Sequence, residues 1–164
     1  MSVRKAREED LFDILAIYSR AREYMKQTGN PTQWGEVYPP KSLVESDTAS
    51  KNLFVLEENG KIYGVFAFFP NGDGVYDKIE GAWLNDYPHA AIHRVASSGE
   101  RRGVLAECVK FCLSISNNLK IDTHADNKTM QSALKKLGFV ECGKIFLPDG
   151  EERIACQLCK KADS

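Results

Sequence analysis

The stretch AIHRVASSGERRGVLA, Ala91–Ala106, decides how the rest of the chain is read. It passes from an apolar-edged strand through a polar, glycine-containing turn into a helix that begins near Gly103. The first N–H groups of a helix lack internal partners and lie at the positive end of its dipole, so such a turn is an anion site. Arg101 and Arg102 add full positive charges at its mouth. The ligand that suits it is a phosphate or pyrophosphate, which points to a nucleotide-derived cofactor.

Composition bounds the alternatives. A chain of 164 residues is long enough for one domain with a proper core and too short for two ordinary ones. Its hydrophobic content of 43% and charged content of 27% are those of a soluble globular protein. A formal charge of -1 and a pI near 6.3 argue against a surface that tracks phosphates, so nucleic acid is not an expected partner. No apolar run approaches membrane-spanning length, and Met1–Glu9 is charged rather than signal-like, so no membrane contact and a cytoplasmic location are expected.

The five cysteines are odd in number and are read as free thiols, small buried hydrophobes rather than metal ligands. Cys108 and Cys112 fall on one face of a helix. Cys156 and Cys159 form a CxxC within a strand, where their offset sends them to opposite faces. No metal site is expected.

Outward from Ala91–Ala106, the pattern gives a short first strand at Ser2–Lys5 and an amphipathic helix from Leu11 to about Gln27, with acidic residues at its start. A loop with Trp34 and Tyr38 follows, then a short helix over Lys41–Asp47. Leu53–Leu56 and Ile62–Phe69 flank Asn59-Gly60, a strong hairpin signal. Val75–Trp83 has a weak strand-like pattern. A strand from Ala90 to Ala96 leads into the helix from Gly103 to about Asn117. A strand over Leu119–His124, a helix over Asn127–Leu137, and strands at Phe139-Val140 and Ile154–Leu158 complete the chain. This order predicts an α/β (α+β) fold, a mixed and mostly antiparallel central sheet flanked by helices, in one domain over 1–164 without repeats. An unpaired edge strand leaves room for a homodimer.

The order of elements, with Leu137-Gly138-Phe139 closing the last helix, resembles the GNAT acetyltransferase superfamily over essentially the whole chain. The family's pyrophosphate loop, Gln/Arg-x-x-Gly-x-Gly/Ala, aligns with Glu100–Leu105, where Gly103 fits. A second family pattern is met by Asn127 with Gly138 and Phe139. The resemblance implies acetyl-CoA as cofactor, backbone hydrogen bonds from Val95 to its pantetheine arm, and a cradle for its pyrophosphate made by Arg101, Arg102, Gly103, Val104, Leu105 and Ala106. Asn127 would add a cofactor contact and also cap its helix. Leu105 stands where a small residue is usual, and Glu100 places negative charge beside the phosphates unless it turns away. Leu134 occupies the place of a tyrosine thought to protonate the leaving thiolate, which a leucine cannot do.

Acetyl transfer to an amine needs a neutral nucleophile, a polarised carbonyl and a route for the proton. The strands beside the cofactor supply His93, Asp122 and His124 as catalytic candidates; Asp122 and His124 share one strand face, and a histidine titrates near neutrality. The aromatic and acidic loop residues Trp34, Tyr38, Trp83 and Asp86 are candidates to wall the acceptor, with Asp86 suited to a cationic amine. The function expected is acetyl-CoA-dependent N-acetyl transfer to a small-molecule or peptide amine by direct attack. The alternative is a non-catalytic GNAT-like module that binds CoA or another ligand.

Overall fold

The computed structural model of the protein describes residues 1–160. Eight strands and four helices follow one another as β1 (Ser2–Lys5), α1 (Leu11–Gln27), α2 (Lys41–Ala49), β2 (Leu53–Glu58), β3 (Lys61–Phe69), β4 (Glu80–Gly81), β5 (Ala90–Ser97), α3 (Val104–Leu113), β6 (Asn118–Thr123), α4 (Lys128–Lys136), β7 (Val140–Phe146) and β8 (Glu152–Cys159). Hydrogen bonding orders the strands β1-β2-β3-β5-β6-β8-β7-β4 in one sheet. The β5–β6 pair is parallel, and the β1–β2, β2–β3, β6–β8, β7–β8 and β4–β7 pairs are antiparallel. This is the mixed, mostly antiparallel sheet with helices that the sequence predicts.

The chain forms two compact units: Met1–Phe68 with His93–Phe111, and Phe69–Ile92 with the described part of Cys112–Ser164. In the first unit, Leu53–Leu56 and Gly64–Phe68 are buried without interruption. That continuous burial marks strands covered on both faces rather than on one. Phe54 stacks on Phe66 at 5.4 Å and meets Phe111 of α3 at 5.3 Å. The hairpin turns at Asn59 (φ 51°) and Gly60 (φ 78°), the two left-handed residues that a tight turn of this hand requires.

Gly64 in β3 has a different task. A Cβ there would come within 2.5 Å of Val104 Cγ1, the first residue of α3, and within 3.3 Å of the Ala96 carbonyl. The absence of a side chain on β3 is what lets the start of α3 sit close against the sheet.

In the second unit the core is Tyr76, Ala91, Ile145 and Ala155, with Phe69, Val75, Ile79, Trp83 and Leu147 packed around them. Here the weak strand-like pattern over Val75–Trp83 resolves into a 3-10 turn at Gly74–Tyr76 and the two-residue β4. Asp73 caps that turn by accepting from the Val75 N–H at 2.9 Å, and the Trp83 indole N–H donates to the Tyr76 carbonyl at 2.9 Å. Local side-chain bonds thus take the place of a ladder.

The helix expected to reach Asn117 ends at Leu113. Beyond it, Ser116 Oγ accepts from the Asn118 N–H and donates to the Asn118 carbonyl, a local pairing that diverts the backbone from the helix. Among the described residues no helix is long and apolar enough to cross a membrane. Nor, among them, do three or more His, Cys, Asp or Glu side chains gather as a metal site.

Gly64→Ala tests the close seating of α3. The added methyl must displace buried Val104, so stability should fall by about 1–3 kcal/mol, read by thermal unfolding. Wild-type stability in this variant would contradict the packing described.

Candidate functional site

In the first unit the decisive residue is one the sequence does not flag. Arg94, in the middle of β5, has φ 52°, a left-handed conformation that is unusual for a non-glycine residue in a strand. Three neighbours hold it there. The Tyr18 hydroxyl donates to the Arg94 carbonyl at 2.9 Å, and the guanidinium donates to Asp47 Oδ2 from Nε at 3.0 Å and from a terminal nitrogen at 2.8 Å. The Tyr38 hydroxyl accepts a longer bond at 3.4 Å. Both charged side chains are about nine-tenths buried, 12% and 9% exposed, so the ion pair is little screened. Strain of this kind is retained where surrounding contacts over-determine it, and it concentrates at functional sites. His93 and Val95 flank it, both half-buried.

The aromatic loop belongs to the same cluster. Trp34 meets Tyr18 edge-on at 5.7 Å and Tyr38 at 6.2 Å, and the Tyr38 carbonyl accepts from Arg22 at 3.2 Å. Burial pushes the Tyr18 phenol well above its ordinary range, so it stays a neutral donor.

After β5 the chain turns through Gly99 (φ 78°) and Gly103 (φ 83°) into α3. Gly99 lies against the Arg20 guanidinium, which donates to the Ser97 carbonyl at 3.1 Å and would collide with any Cβ at that position. Gly103 faces open space, so its need for glycine is conformational. The first helical bond runs from the Glu107 N–H to the Gly103 carbonyl at 3.0 Å. The amides of Val104, Leu105 and Ala106 therefore precede the intrahelical ladder, as an anion site needs.

The charges around this turn are paired in an instructive way. Glu100, expected to repel a phosphate, has its carboxylate on the Lys61 ammonium, and that partner raises the Lys61 pKa. Arg101 is paired with Glu58, its guanidinium 5.8 Å from the Tyr63 ring centroid. Arg102 is exposed. Leu105 is half-buried.

In the second unit, Asp122 Oδ2 accepts from the Tyr76 hydroxyl at 2.7 Å. Tyr76 is 1% exposed, and burial followed by the Asp122 charge raises its pKa well above the ordinary phenol value. His124 lies just past the end of β6. Its Nδ1 accepts from the Asp126 N–H at 3.0 Å, which fixes the neutral tautomer with the proton on Nε2. The expected shared strand face thus gives Asp122 and His124 separate partners, Tyr76 for one and the Asp126 amide for the other.

Asn127 caps α4 by accepting from the Met130 N–H at 3.0 Å, as the sequence predicts. Leu134 is 1% exposed, an apolar core residue of α4. Trp83 is half-buried against Tyr76, 5.6 Å between centroids, with the Lys120 ammonium 4.0 Å from its ring centroid. Asp86 is exposed in a loop fastened on both sides. The Leu84 N–H donates to Gln157, and the Asn118 amide donates to Asn85 and to the Tyr87 and Pro88 carbonyls.

Tyr76, Lys120, Asp47 and Arg94 are the site residues that sequence reasoning passes over. For Lys120 a signal exists, because Lys120, Asp122 and His124 alternate along one strand. For Arg94 none does, because a positive φ at arginine leaves no mark in composition or spacing.

Comparison with known proteins adds the following. No protein-family model and no curated protein matches the chain. Solved structures do. A GNAT-family acetyltransferase from Streptococcus agalactiae 2603 superposes with a TM-score of 0.86 at 30% identity, over 98% of this chain and 96% of that one. A Staphylococcus aureus Mu50 protein named as an acetyltransferase gives 0.73 at 28% identity, over 98% and 100%. A Salmonella typhimurium protein, solved with its cofactor acetyl-CoA, gives 0.61 over 99% and 95%, at an identity of 14% that speaks for the fold alone.

The Arg94 cluster makes an ordered expectation. Asp47→Ala strands a buried guanidinium at a strained residue and should cost about 3–5 kcal/mol. Arg94→Gly strands Asp47 in turn, but a carboxylate can shed its charge by taking up a proton and glycine accepts φ > 0 freely, so it should cost less. Urea unfolding of both variants gives the order, and the reverse order would contradict the role assigned to the ion pair.

Proposed function

Because the chain belongs to the GNAT acetyltransferase family, we propose that it is an acetyl-CoA-dependent N-acetyltransferase, one domain over 1–164, acting on the amine of a small molecule or peptide. The observation that carries this reading is the start of α3. Three amides precede the first helical bond, Gly103 takes the left-handed φ that brings the chain into them, and Lys61 neutralises the Glu100 carboxylate, which would otherwise repel a pyrophosphate. The residues present therefore fit the cofactor. Val104, Leu105 and Ala106 receive the pyrophosphate with their N–H groups, and Gly103, Arg101 and Arg102 frame it. Val95 offers its backbone to the pantetheine arm, and the side-chain amide of Asn127 adds a further contact.

Acetyl-CoA, when bound, supplies an acetyl group activated as a thioester, whose C–S bond breaks as the amine nitrogen bonds to the carbonyl carbon. The protein's part is proton management and orientation. Asp122, fixed by the Tyr76 hydroxyl, holds the acceptor's ammonium. His93 accepts the proton that the ammonium sheds before attack. The second proton, lost as the amide forms, passes to the departing sulfur, to which the His124 Nε2–H donates a hydrogen bond while keeping its own proton, a role that Leu134 cannot fill. The acceptor-binding candidates are Trp34 and Tyr38 in the first unit and Trp83 and Asp86 in the second.

The second reading, a module that binds CoA or another ligand without chemistry, draws on the buried leucine at 134. Thiol release from acetyl-CoA across a panel of amines separates the two. Turnover is expected, with Asp122→Asn and His93→Gln each lowering kcat about 10²–10⁴-fold. Saturable binding without thiol release would decide for the binding module.

Lys61 gives a second test. Lys61→Ala releases the Glu100 carboxylate toward the phosphates and should raise the KM for acetyl-CoA about 3–5-fold, the scale of an exposed pair. Adding Glu100→Gln should return it to the wild-type value. A KM indifferent to both changes would contradict the neutralising role of Lys61.

A further inference from the structure

The polar residues on one face of β6 are treated unequally. Asn118, 5% exposed, is fully provided for: its amide donates to Asn85 Oδ1 and to two carbonyls, and its Oδ1 accepts from Gln157 at 2.7 Å. Asp122 has the Tyr76 hydroxyl. Lys120, between them on the same face and also 5% exposed, has neither a carboxylate within ion-pair distance nor a hydrogen-bond acceptor among the described residues. Its ammonium rests on the indole face of Trp83, 4.0 Å from the centroid, with the Asp77 and Cys142 side chains attracting it from outside contact distance. Gln157, its register partner on β8, already uses its side-chain oxygen to accept from the Leu84 N–H at 2.8 Å.

An ammonium whose stem is buried and whose tip meets a π face and little solvent is poorly stabilised, because a cation–π contact does not replace lost hydration and a counter-ion. Burial accordingly lowers the Lys120 pKa, and the Lys120 charge helps to lower that of His89. A fold that satisfies Asn118 and Asp122 and gives Lys120 only the attraction of Asp77 and Cys142, neither in contact with it, is arranged for an anion that arrives with a ligand.

Resting on the acetyltransferase reading, we propose that Lys120 and Trp83 are the specificity-determining subsite for a carboxylate carried by the acceptor, so that the substrate is an amine that is also an acid. The indole is rigidly placed by its bond to the Tyr76 carbonyl, and Tyr76 in turn orients Asp122. One strand face thereby offers a positive point at Lys120 and a negative one at Asp122, about 7 Å apart along the strand. That arrangement complements an amino acid in its zwitterionic form. A single ammonium without an arginine fork matches the one charge of a carboxylate better than the two of a phosphate.

The test uses matched acceptors: each of the twenty common amino acids and its carboxamide, with phosphoethanolamine and ethanolamine as a second pair. The wild-type enzyme should prefer at least one amino acid to its carboxamide roughly tenfold or more in kcat/KM. In Lys120→Met that preference should collapse toward one, while the melting temperature stays level or rises because an unmatched buried charge is gone. Equal use of acid and amide by the wild type, preference for phosphoethanolamine over every amino acid, or a Lys120→Met variant that keeps the preference would each overturn the proposal. Calorimetry with the same amino acids, run without acetyl-CoA, separates the two claims. Binding that Lys120→Met abolishes, in a protein that releases no thiol, upholds the carboxylate subsite and rejects the enzyme reading. No turnover and no binding rejects the subsite itself.

Discussion

A strand that must carry a left-handed arginine depends on whatever holds that arginine in place, and this constraint organises the first unit. Arg94 cannot keep φ 52° by preference, since its Cβ crowds the backbone in that region. The conformation persists because the Asp47 carboxylate holds its side chain and the Tyr18 hydroxyl holds its carbonyl. These contacts draw in α1, α2 and the Trp34–Tyr38 loop, elements that otherwise have separate reasons to form. The backbone on either side, at His93 and Val95, is thereby set at an angle that a regular ladder would not give it.

Beyond β5 the same unit solves an electrostatic problem. An anion site at a helix start gains from every positive charge and loses from every carboxylate within the first turn. The chain carries Glu107 in that turn and Glu100 just ahead of the helix, and it meets the Glu100 charge with Lys61 from the facing hairpin rather than by removing it. Close seating of α3 on Gly64 then leaves the amides of Val104 to Ala106 at the helix start, ahead of the first helical bond. In the second unit the corresponding organiser is Tyr76. Its carbonyl fixes Trp83 and its hydroxyl fixes Asp122, so one residue aligns the aromatic and the acidic sides of the candidate acceptor site.

Where a signal was local, it was legible in the sequence. Asn59-Gly60 announced a hairpin because only residues tolerant of φ > 0 close such a turn. Asn127 announced a helix start because its side chain can take the Met130 amide, and Gly103 announced the turn into α3. The apolar periodicities of α1, α3 and α4 gave those helices to within a few residues. What stayed hidden was non-local. Nothing in the one-dimensional pattern joins Asp47 to Arg94 or Tyr76 to Asp122, residues 47 and 46 positions apart. Val75–Trp83 misled because its apolar residues pack individually around Tyr76 instead of alternating along a strand. Glu100 looked adverse for a phosphate site because its partner, Lys61, lies 39 positions away.

The claim on which the functional account rests is that the start of α3 takes the cofactor's pyrophosphate. Calorimetric titration of the purified protein with acetyl-CoA, with CoA and ATP as controls, measures it without any assumption about the acceptor. The account expects saturable binding of acetyl-CoA and CoA, weaker binding of ATP, and a marked loss of affinity when Gly103→Val forbids the left-handed turn. No saturable binding at millimolar acetyl-CoA, or affinity untouched by Gly103→Val, would contradict it.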